Sequence, residues 1–395
     1  MTEESITRLF AKRFGRAPEV IARAPGRVEF IGNHTDYNGG SVLGAAINRY
    51  VWVAIASSGQ QRMQLVSGEE GTIVETVPGG IDTRATGPDD WINYPLAVWK
   101  SLAEFGLPRP TAFDLLVVSD LPVGAGLSSS AALELAAALC FLELMGCADL
   151  APHRLAALAR HAENVHVGVP CGILDQGTCA IAAKDELVHI NSRGPTFTRV
   201  RIPGMARLWV FNTSEKHALV DGRYAERHRE CVAAARKLEV ECLAAIPVKN
   251  LNRMLKRLPA TLAKRVAHIV EENARVAETV TALQSGDLSV AGRCMTASHR
   301  SSQILFENST PALDSLVWTL TKHPHVHGAR LTGGGFGGAV LALTDEKFTD
   351  ADADTVASHH AAFGYLRPQA LDLLTADGAR VIWRDTFRRN TRLRD

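Results

Sequence analysis

The spacing of apolar side chains changes character several times along this chain, and each change marks an element. In MTEESITRLFAKRF, Ile6, Leu9, Phe10 and Phe14 share one side of a helical wheel, predicting an amphipathic helix. VIARAPGRVEF then reads as extended and VLGAAINRYVWVAIAS continues as β-rich sequence, while QLVSGEEGTIVETV predicts two strands around a Gly-Glu-Glu-Gly turn. A helix is predicted from Trp91 to about Phe105, followed by the apolar strand FDLLVVS. LPVGAGLSSSAALELAAALCFLELMG is a Gly/Ser-rich turn feeding an alanine-rich, apolar helix. A further helix is predicted from about Ala151 to His166, and strand-like segments from there through Asn191 to Gly204.

ARLWVFNTS opens a second half with a charged helix, YAERHRECVAAARKL, and a long one from about Ala260 to Leu283. Another helix is predicted from Ser309 to Lys322, then strand, glycine loop and strand in GARLTGGGFGGAVLALT. There is no internal repeat. Strands and helices without regular βαβ alternation imply α+β packing rather than a doubly wound sheet. At 395 residues the chain fits two domains better than one core. The boundary is expected near residues 203–207, giving 1–204 and 205–395. Trp52, Phe113, Leu115, Leu133, Leu139 and Leu142 are expected in the core.

Composition narrows the partners. Apolar residues make up 46% and charged residues 22%, as in an ordinary soluble protein. A formal net charge of +1 gives no long-range field to attract nucleic acid or an anionic membrane. Arg388, Arg389, Arg392 and Arg394 cluster at the end, but without interleaved aromatics they read as a solvated tail. Seven cysteines stand singly, with no C-x-x-C pair, which favours a reducing cytoplasm. Neither a signal peptide nor an apolar run of membrane-spanning length is expected.

Chemistry concentrates in a few short stretches. In PVGAGLSSSAALE, Gly124 and Gly126 allow close backbone approach to a ligand, and Ser128, Ser129 and Ser130 stand where a helix must begin. A helix N-terminus presents unpaired N–H groups and the positive end of its dipole, so phosphate is the expected anion. An ordinary helix cap would need one serine, not three with two spaced glycines. The Walker A lysine is absent. LTGGGFGGA is either a flexible hairpin or a backbone folded over phosphates or against another loop. In HAENVHVGVPCGILDQGTCA, Glu163 lies on a predicted helix and Asp175 follows a Pro-Cys-Gly turn, so the two acids can divide metal binding from proton handling. Magnesium beside phosphates needs only one or two protein oxygens. Glu163 alone would better suit a solvated helix face. Asp175, in a run of apolar and small residues, needs a partner, and Arg27, steered by Pro25 and Gly26, is the candidate. IGNHTDYNGG remains open between a metal site, a polar turn and a pocket for a hydroxyl-rich ligand. Its single histidine, without i, i+4 helical spacing, makes the metal the weakest of the three.

Taken in order, APGRVEFIGNHTDYNGG, LPVGAGLSSSAALELA and LTGGGFGGAVLAL resemble the three motifs of the GHMP small-molecule kinases, most closely the galactokinase branch. PCGILDQ resembles the catalytic-aspartate segment, KHALVDGRYAERHRECV the sugar-side tyrosine helix, and SHRSSQILFENSTPALDSLV the segment before the third motif. These six matches cover nearly the whole chain. The resemblance implies a two-lobed α+β fold, with a ribosomal-protein-like N-terminal domain, a ferredoxin-like C-terminal domain and the active site between them. It implies phosphorylation of a sugar's anomeric hydroxyl by ATP with Mg²⁺.

Carried over, Asp175 would be the catalytic base or electrostatic orienter, and Arg27 would pair with it and neutralise charge on the transferring phosphoryl group. Asn33, His34, Asp36, Gly172, Asp175 and Tyr224 would face the sugar. Pro122, Gly124, Ala125, Gly126, Leu127, Ser128, Ser129 and Ser130, with Gly334 and Gly335, would surround the ATP phosphates. Glu163, with Ser129 or Ser130, would hold Mg²⁺. The expected partners are a monosaccharide and ATP, with no nucleic acid or membrane, and the expected state is a cytoplasmic monomer. One departure stands out: the branch reads GRVNLIGEHTDYN, whereas this chain reads GRVEFIGNHTDYN. Asn33 replaces the sugar-contacting glutamate, which makes discrimination at the sugar's C6 the open point. HTDYNGG and Tyr224 disfavour mevalonate or homoserine as substrate, and the joint presence of Arg27, Asp175, Glu163 and the serines disfavours a silent sugar- and ATP-binding regulator.

Overall fold

The structure, a computed structural model, describes residues 1–80, 83–122, 126–147, 149–214 and 220–385, without the side chains of 220 and 221. Gly124, Ala125 and the arginines 388, 389, 392 and 394 lie outside the described residues. Two long antiparallel strands, β1 (Val20–Ile31) and β2 (Ser41–Ser57), form the middle of a mixed sheet. β3 (Met63–Ser67) and β4 (Val74–Thr76) make the expected hairpin, and β5 (Phe113–Ser119) bridges it to β2. β6 (Glu186–Asn191) and β7 (Thr196–Arg201) extend the far end of β2.

A second sheet contains β8 (Arg207–Asn212), β9 (Val326–Thr332), β10 (Ala339–Thr344) and β11 (Gln369–Leu373), in the order β11-β8-β10-β9. The chain then returns: β12 (Arg380–Arg384) pairs antiparallel with β1. Leu208, Val210 and Leu341 of the second sheet belong to the same hydrophobic cluster as Phe30 and Leu43 of the first. The two halves therefore share apolar contacts rather than meeting only at a linker.

The helices follow from capping and packing. α1 (Glu3–Phe14) starts with a Thr2/Ser5 capping box, ends on left-handed Gly15, and buries Ile6 and Phe10 in a cluster with Trp52 and Leu116. α2 (Asn93–Glu104) and α3 (Ser129–Leu144) cover the sheet, and α3 is buried on nearly every side, as its apolar run requires. α4 (Pro152–His161) passes into a π-helical turn at Ala162–Val167. α5 (Leu174–Ile181) corrects the sequence reading, which took this segment as extended. Gly177 is unfavourable inside a helix, but a side chain there would press on Ile190 and Phe197, so tertiary packing overrides propensity.

The second half contributes α6 (Val220–Leu238), α7 (Leu251–Leu255), the long α8 (Ala260–Gln284), α9 (Leu288–Ser301), α10 (Pro311–Leu320) and α11 (Asp350–Ala362). α9 and α11 received no assignment from the pattern; α11 alternates Asp, Ala and His with little amphipathic contrast. All six expected core residues are buried. All seven cysteines are free, and among the described residues no helix is long and apolar enough to cross a membrane.

Candidate active site

A cavity of about 510 Å³ opens where β1, the Ala162–Val167 turn, α5, α6 and the loop after β9 converge. Its walls bring together Arg27, Asn33, His34, Asp36, Glu163, Gly172, Asp175, Tyr224 and Gly334 from the sequence reading, and add Glu29 and Cys171. Arg27, on buried β1, donates from Nε (2.7 Å) and Nη2 (2.6 Å) to Asp175 Oδ1. Asp175 lies in the first turn of α5, not in the turn before it, and its side chain keeps 26% of its surface open toward the cavity. Burial opposes the charge on Arg27, but the neighbouring Asp175 carboxylate prevails and raises its pKa.

Arg27 also holds the serine-rich loop. Its Nη1 donates to the Gly126 carbonyl at 2.7 Å, and its backbone N–H to Leu127 O at 3.1 Å. A side chain at Gly26 would collide with Leu121 and the Leu127 carbonyl, so glycine permits this approach. Ser128 takes a left-handed φ of 60°, a conformation costing about 1–2 kcal/mol for a residue with a Cβ. Its hydroxyl does not cap α3; it donates to Asp175 Oδ2 at 2.6 Å. The first N–H groups of α3 thus have no side-chain cap from Ser128, which leaves them for an anion. Pro122, Leu127 and exposed Ser129 flank this terminus but do not line the cavity. The third-motif loop abuts the serine-rich loop: Gly333 approaches the Gly126 carbonyl. Gly335 does not line the cavity, and a side chain there would collide with Asn308.

At the other end, His34 has φ 59° and is held by two bonds. Gly334 O can only accept, so His34 Nε2 donates to it (3.0 Å) and Nδ1 accepts the Tyr37 hydroxyl (2.8 Å). Burial lowers the His34 pKa to about 3, so the ring is neutral. Tyr224, on α6, packs its ring 5.1 Å from that of His34 and beside Gly334. Asp36 accepts backbone N–H groups from Tyr37 (2.9 Å) and Leu174 (3.4 Å), while burial raises its pKa.

Gly172 makes room for Asp36: a Cβ would overlap that carboxylate. Gly172→Ala is expected to displace Asp36 and raise the KM for the acceptor substrate by on the order of 10²-fold, with the KM for the phosphoryl donor nearly unchanged. Steady-state kinetics varying each substrate separately check this. Equal changes in both constants would assign Gly172 a general structural role.

Glu163 is buried on the π-helical turn, so the solvated-face alternative does not hold. Burial, reinforced by the charge of Asp175, raises its pKa to about 6, while bonds from Cys171, Gln176 and Ser130 oppose the rise. Gln176 Nε2 bridges Glu163 (2.6 Å) and Glu134 (3.1 Å). Burial, reinforced by the charge of Glu163, raises the Glu134 pKa well above the usual carboxylate range. Gln176 and Glu134 were missed from sequence, although a glutamate inside an apolar helix was a signal. The Ser130 hydroxyl and the cavity-lining Glu163 carboxylate form an adjacent pair of hard oxygen donors, a set that fits magnesium.

Asn33 is fully buried, and its side chain is committed to the protein. Its Nδ2 donates to Glu29 Oε1 (3.1 Å) and Gly333 O (2.8 Å), and its Oδ1 accepts from Ser302 (3.2 Å) and Asn308 (2.8 Å). Glu29, which stands where the galactokinase-branch motif has asparagine, pairs with fully buried Arg330 at 2.9 Å. Beneath them, Glu272 accepts the N–H groups of Gly32 and Asn33 and the Ser298 hydroxyl. Burial would raise Glu272, yet Arg275, His268 and Arg330 hold it at about 2.

Three family models match the chain: the galactokinase galactose-binding signature at residues 8–57, the GHMP kinases N terminal domain at 93–182 and the GHMP kinases C terminal at 279–365. A galactokinase of Roseiflexus sp. (strain RS-1) is 35% identical over 90% of this chain and 91% of its own length. One from Chloroflexus aurantiacus is 36% identical over 87% and 88%. Among solved structures, Lactococcus lactis galactokinase complexed with galactose superposes with a TM-score of 0.90 at 27% identity, covering 95% of this chain and 99% of that one. Methanococcus jannaschii mevalonate kinase shares the fold, with a TM-score of 0.65 at 18% identity over 91% and 99%. With its motifs, two sheets and converging cavity, the chain belongs to the galactokinase family of GHMP kinases.

Proposed function

We propose that this protein transfers the γ-phosphoryl group of ATP to the C1 hydroxyl of galactose, giving galactose 1-phosphate and ADP. The observation that carries this reading is the Arg27–Asp175 pair on the cavity wall, with Asp175 bonded to Ser128 behind it, between the N-terminus of α3 and the His34/Asp36/Tyr224 end. The phosphate side is positive: a helix N-terminus and a buried guanidinium meet there. At the opposite end the Asp36 carboxylate and the Tyr224 hydroxyl line the cavity as hydrogen-bonding groups for a polyhydroxylated ring, while His34, with both ring nitrogens bonded, shapes the wall.

Phosphoryl transfer is mostly alignment and charge stabilisation. Arg27 and Ser128 fix both oxygens of Asp175: Oδ1 accepts two bonds from Arg27, while Oδ2 accepts one from Ser128 and retains a lone pair for a substrate hydroxyl. Asp175 orients the C1 hydroxyl and takes its proton as that oxygen bonds to phosphorus and the bond to ADP breaks. Arg27 stabilises charge on the phosphoryl oxygens. Glu163 and Ser130, with Ser129 on the same first turn, would hold Mg²⁺, which neutralises ATP phosphate charge when bound. Residues 1–204 supply the sugar and phosphate loops and 205–395 the glycine-rich closing loop, in a chain acting as a monomer in the cytoplasm. ADP release measured with ATP–Mg²⁺ and galactose, against mevalonate and homoserine, tests the assignment. Release with galactose alone supports it; release only with another acceptor overturns it.

Asn33 sharpens the substrate expectation. With both its N–H groups and its oxygen already bonded, it has no spare donor for a C6 hydroxyl. A site built around a charged carboxylate to that hydroxyl would reject a substrate lacking it by about 10⁴–10⁵-fold. This chain is expected to discriminate against 6-deoxygalactose and arabinose by less than about 10²-fold in kcat/KM. Strict rejection of both analogues would show that another group reads C6.

A further inference from the structure

We propose that Glu104, His161 and His166 form a binding site for a divalent transition metal, of which zinc is the type. Glu104 ends α2 and His161 ends α4, while His166 lies on the π-helical turn that follows. The Nε2 atoms of both histidines converge on one carboxylate: His161 is 2.6 Å from Oε2, and His166 is 3.1 Å from Oε1 and 3.2 Å from Oε2. One ligand atom from each residue lies within 4.8 Å of the others. Bonds of about 2.1 Å to a tetrahedral ion place neighbouring ligand atoms about 3.4 Å apart, so each imidazole need move off the carboxylate by less than about 1 Å, and the two imidazole nitrogens need approach each other by at most about 1.4 Å.

The spacing explains the convergence. Residues five apart diverge on an α-helix, where i, i+3 and i, i+4 share a face, but a π turn aligns i with i+5. It sets the two imidazoles side by side, with ring centroids 6.0 Å apart. Phe105 packs edge-on against the His161 ring, and Arg84 donates to the His166 carbonyl, so both ligands are braced from behind. Side-chain exposures of 34%, 18% and 45% leave the cluster open to solvent, with room for a water as fourth ligand. Two imidazoles and a carboxylate suit zinc, cobalt or nickel better than magnesium. The inward face of the same turn carries Glu163, so a bound metal would clamp that turn to α2. The inference stands independently of the proposed reaction.

The test is calorimetric titration of Zn²⁺ into the chelator-stripped full-length protein under excess Mg²⁺, with thermal melting and Co²⁺ absorption alongside. One Zn²⁺ per chain, a raised melting midpoint, and Co²⁺ d–d bands without a thiolate charge-transfer band are expected. The double variant His161→Ala/His166→Ala should lose more than the roughly tenfold affinity that removing a partner behind a ligand costs, along with the melting shift and the bands. Glu104→Gln, which keeps size and hydrogen bonding, should weaken binding in the same direction. The proposal is overturned by no stoichiometric binding, by unchanged binding in both variants, or by a thiolate band that assigns the metal to cysteine.

Discussion

Asp175→Asn lowers turnover by about two to four orders of magnitude, the range of general base catalysis, while ATP binds within a few-fold of wild type. The asparagine oxygen can still accept from Arg27, and its amide can donate to the Ser128 hydroxyl, so the site keeps its shape. What disappears is the charge facing the acceptor hydroxyl. Single-turnover phosphorylation and ATP binding by calorimetry check the two halves separately. Asp175→Ala adds a second effect: Arg27, 5% exposed, loses its countercharge, which costs about 3–5 kcal/mol of stability when a buried pair is broken. Wild-type turnover in the asparagine variant would remove Asp175 from the proton transfer.

Arg330→Met is expected to cost about 3–5 kcal/mol of stability, read as a lower denaturant midpoint at constant slope. Arg330 has no exposed surface and donates to the Glu29 carbonyl and carboxylate and to Ser298. Its removal strands Glu29, whose pKa burial already raises against the pull of Arg330. Adding Glu29→Gln removes the stranded charge, so the double variant should recover part of the loss in a double-mutant cycle. Strict additivity of the two substitutions would mean the pair is not coupled.

These two cases mark what the sequence could and could not disclose. Arg27 and Asp175 can be paired from sequence, because a carboxylate among apolar and small residues demands a countercharge and APGR offers a directed one. The proposed phosphate end stands out in the sequence for a similar reason: glycines and serines at a helix start have few other uses. Arg330 and Glu29 are 301 residues apart, so no local pattern links them, though an arginine inside an apolar strand announces that some partner exists.

Asn33 was legible as an exchanged position but not as a saturated one, since Ser302 and Asn308 approach it only through tertiary folding. Gly172 was assigned to the sugar by resemblance; its visible physical role is the space it leaves for Asp36. The helical state of Leu174–Ile181 was missed because its glycine weakens the helical signal and its stability comes from packing on β6 and β7. The return of β12 to the first sheet is equally nonlocal.

In the proposed reaction, Asp175 and Arg27 direct ATP's terminal phosphoryl group to one hydroxyl of a hexose. Phosphorus NMR of the product formed from galactose and ATP–Mg²⁺ tests it most directly. A single new phosphate ester coupled to the anomeric proton, formed mole for mole with ADP and absent with Asp175→Asn, is the predicted result. A phosphate on any other carbon, or ADP formed without a sugar phosphate, would contradict it.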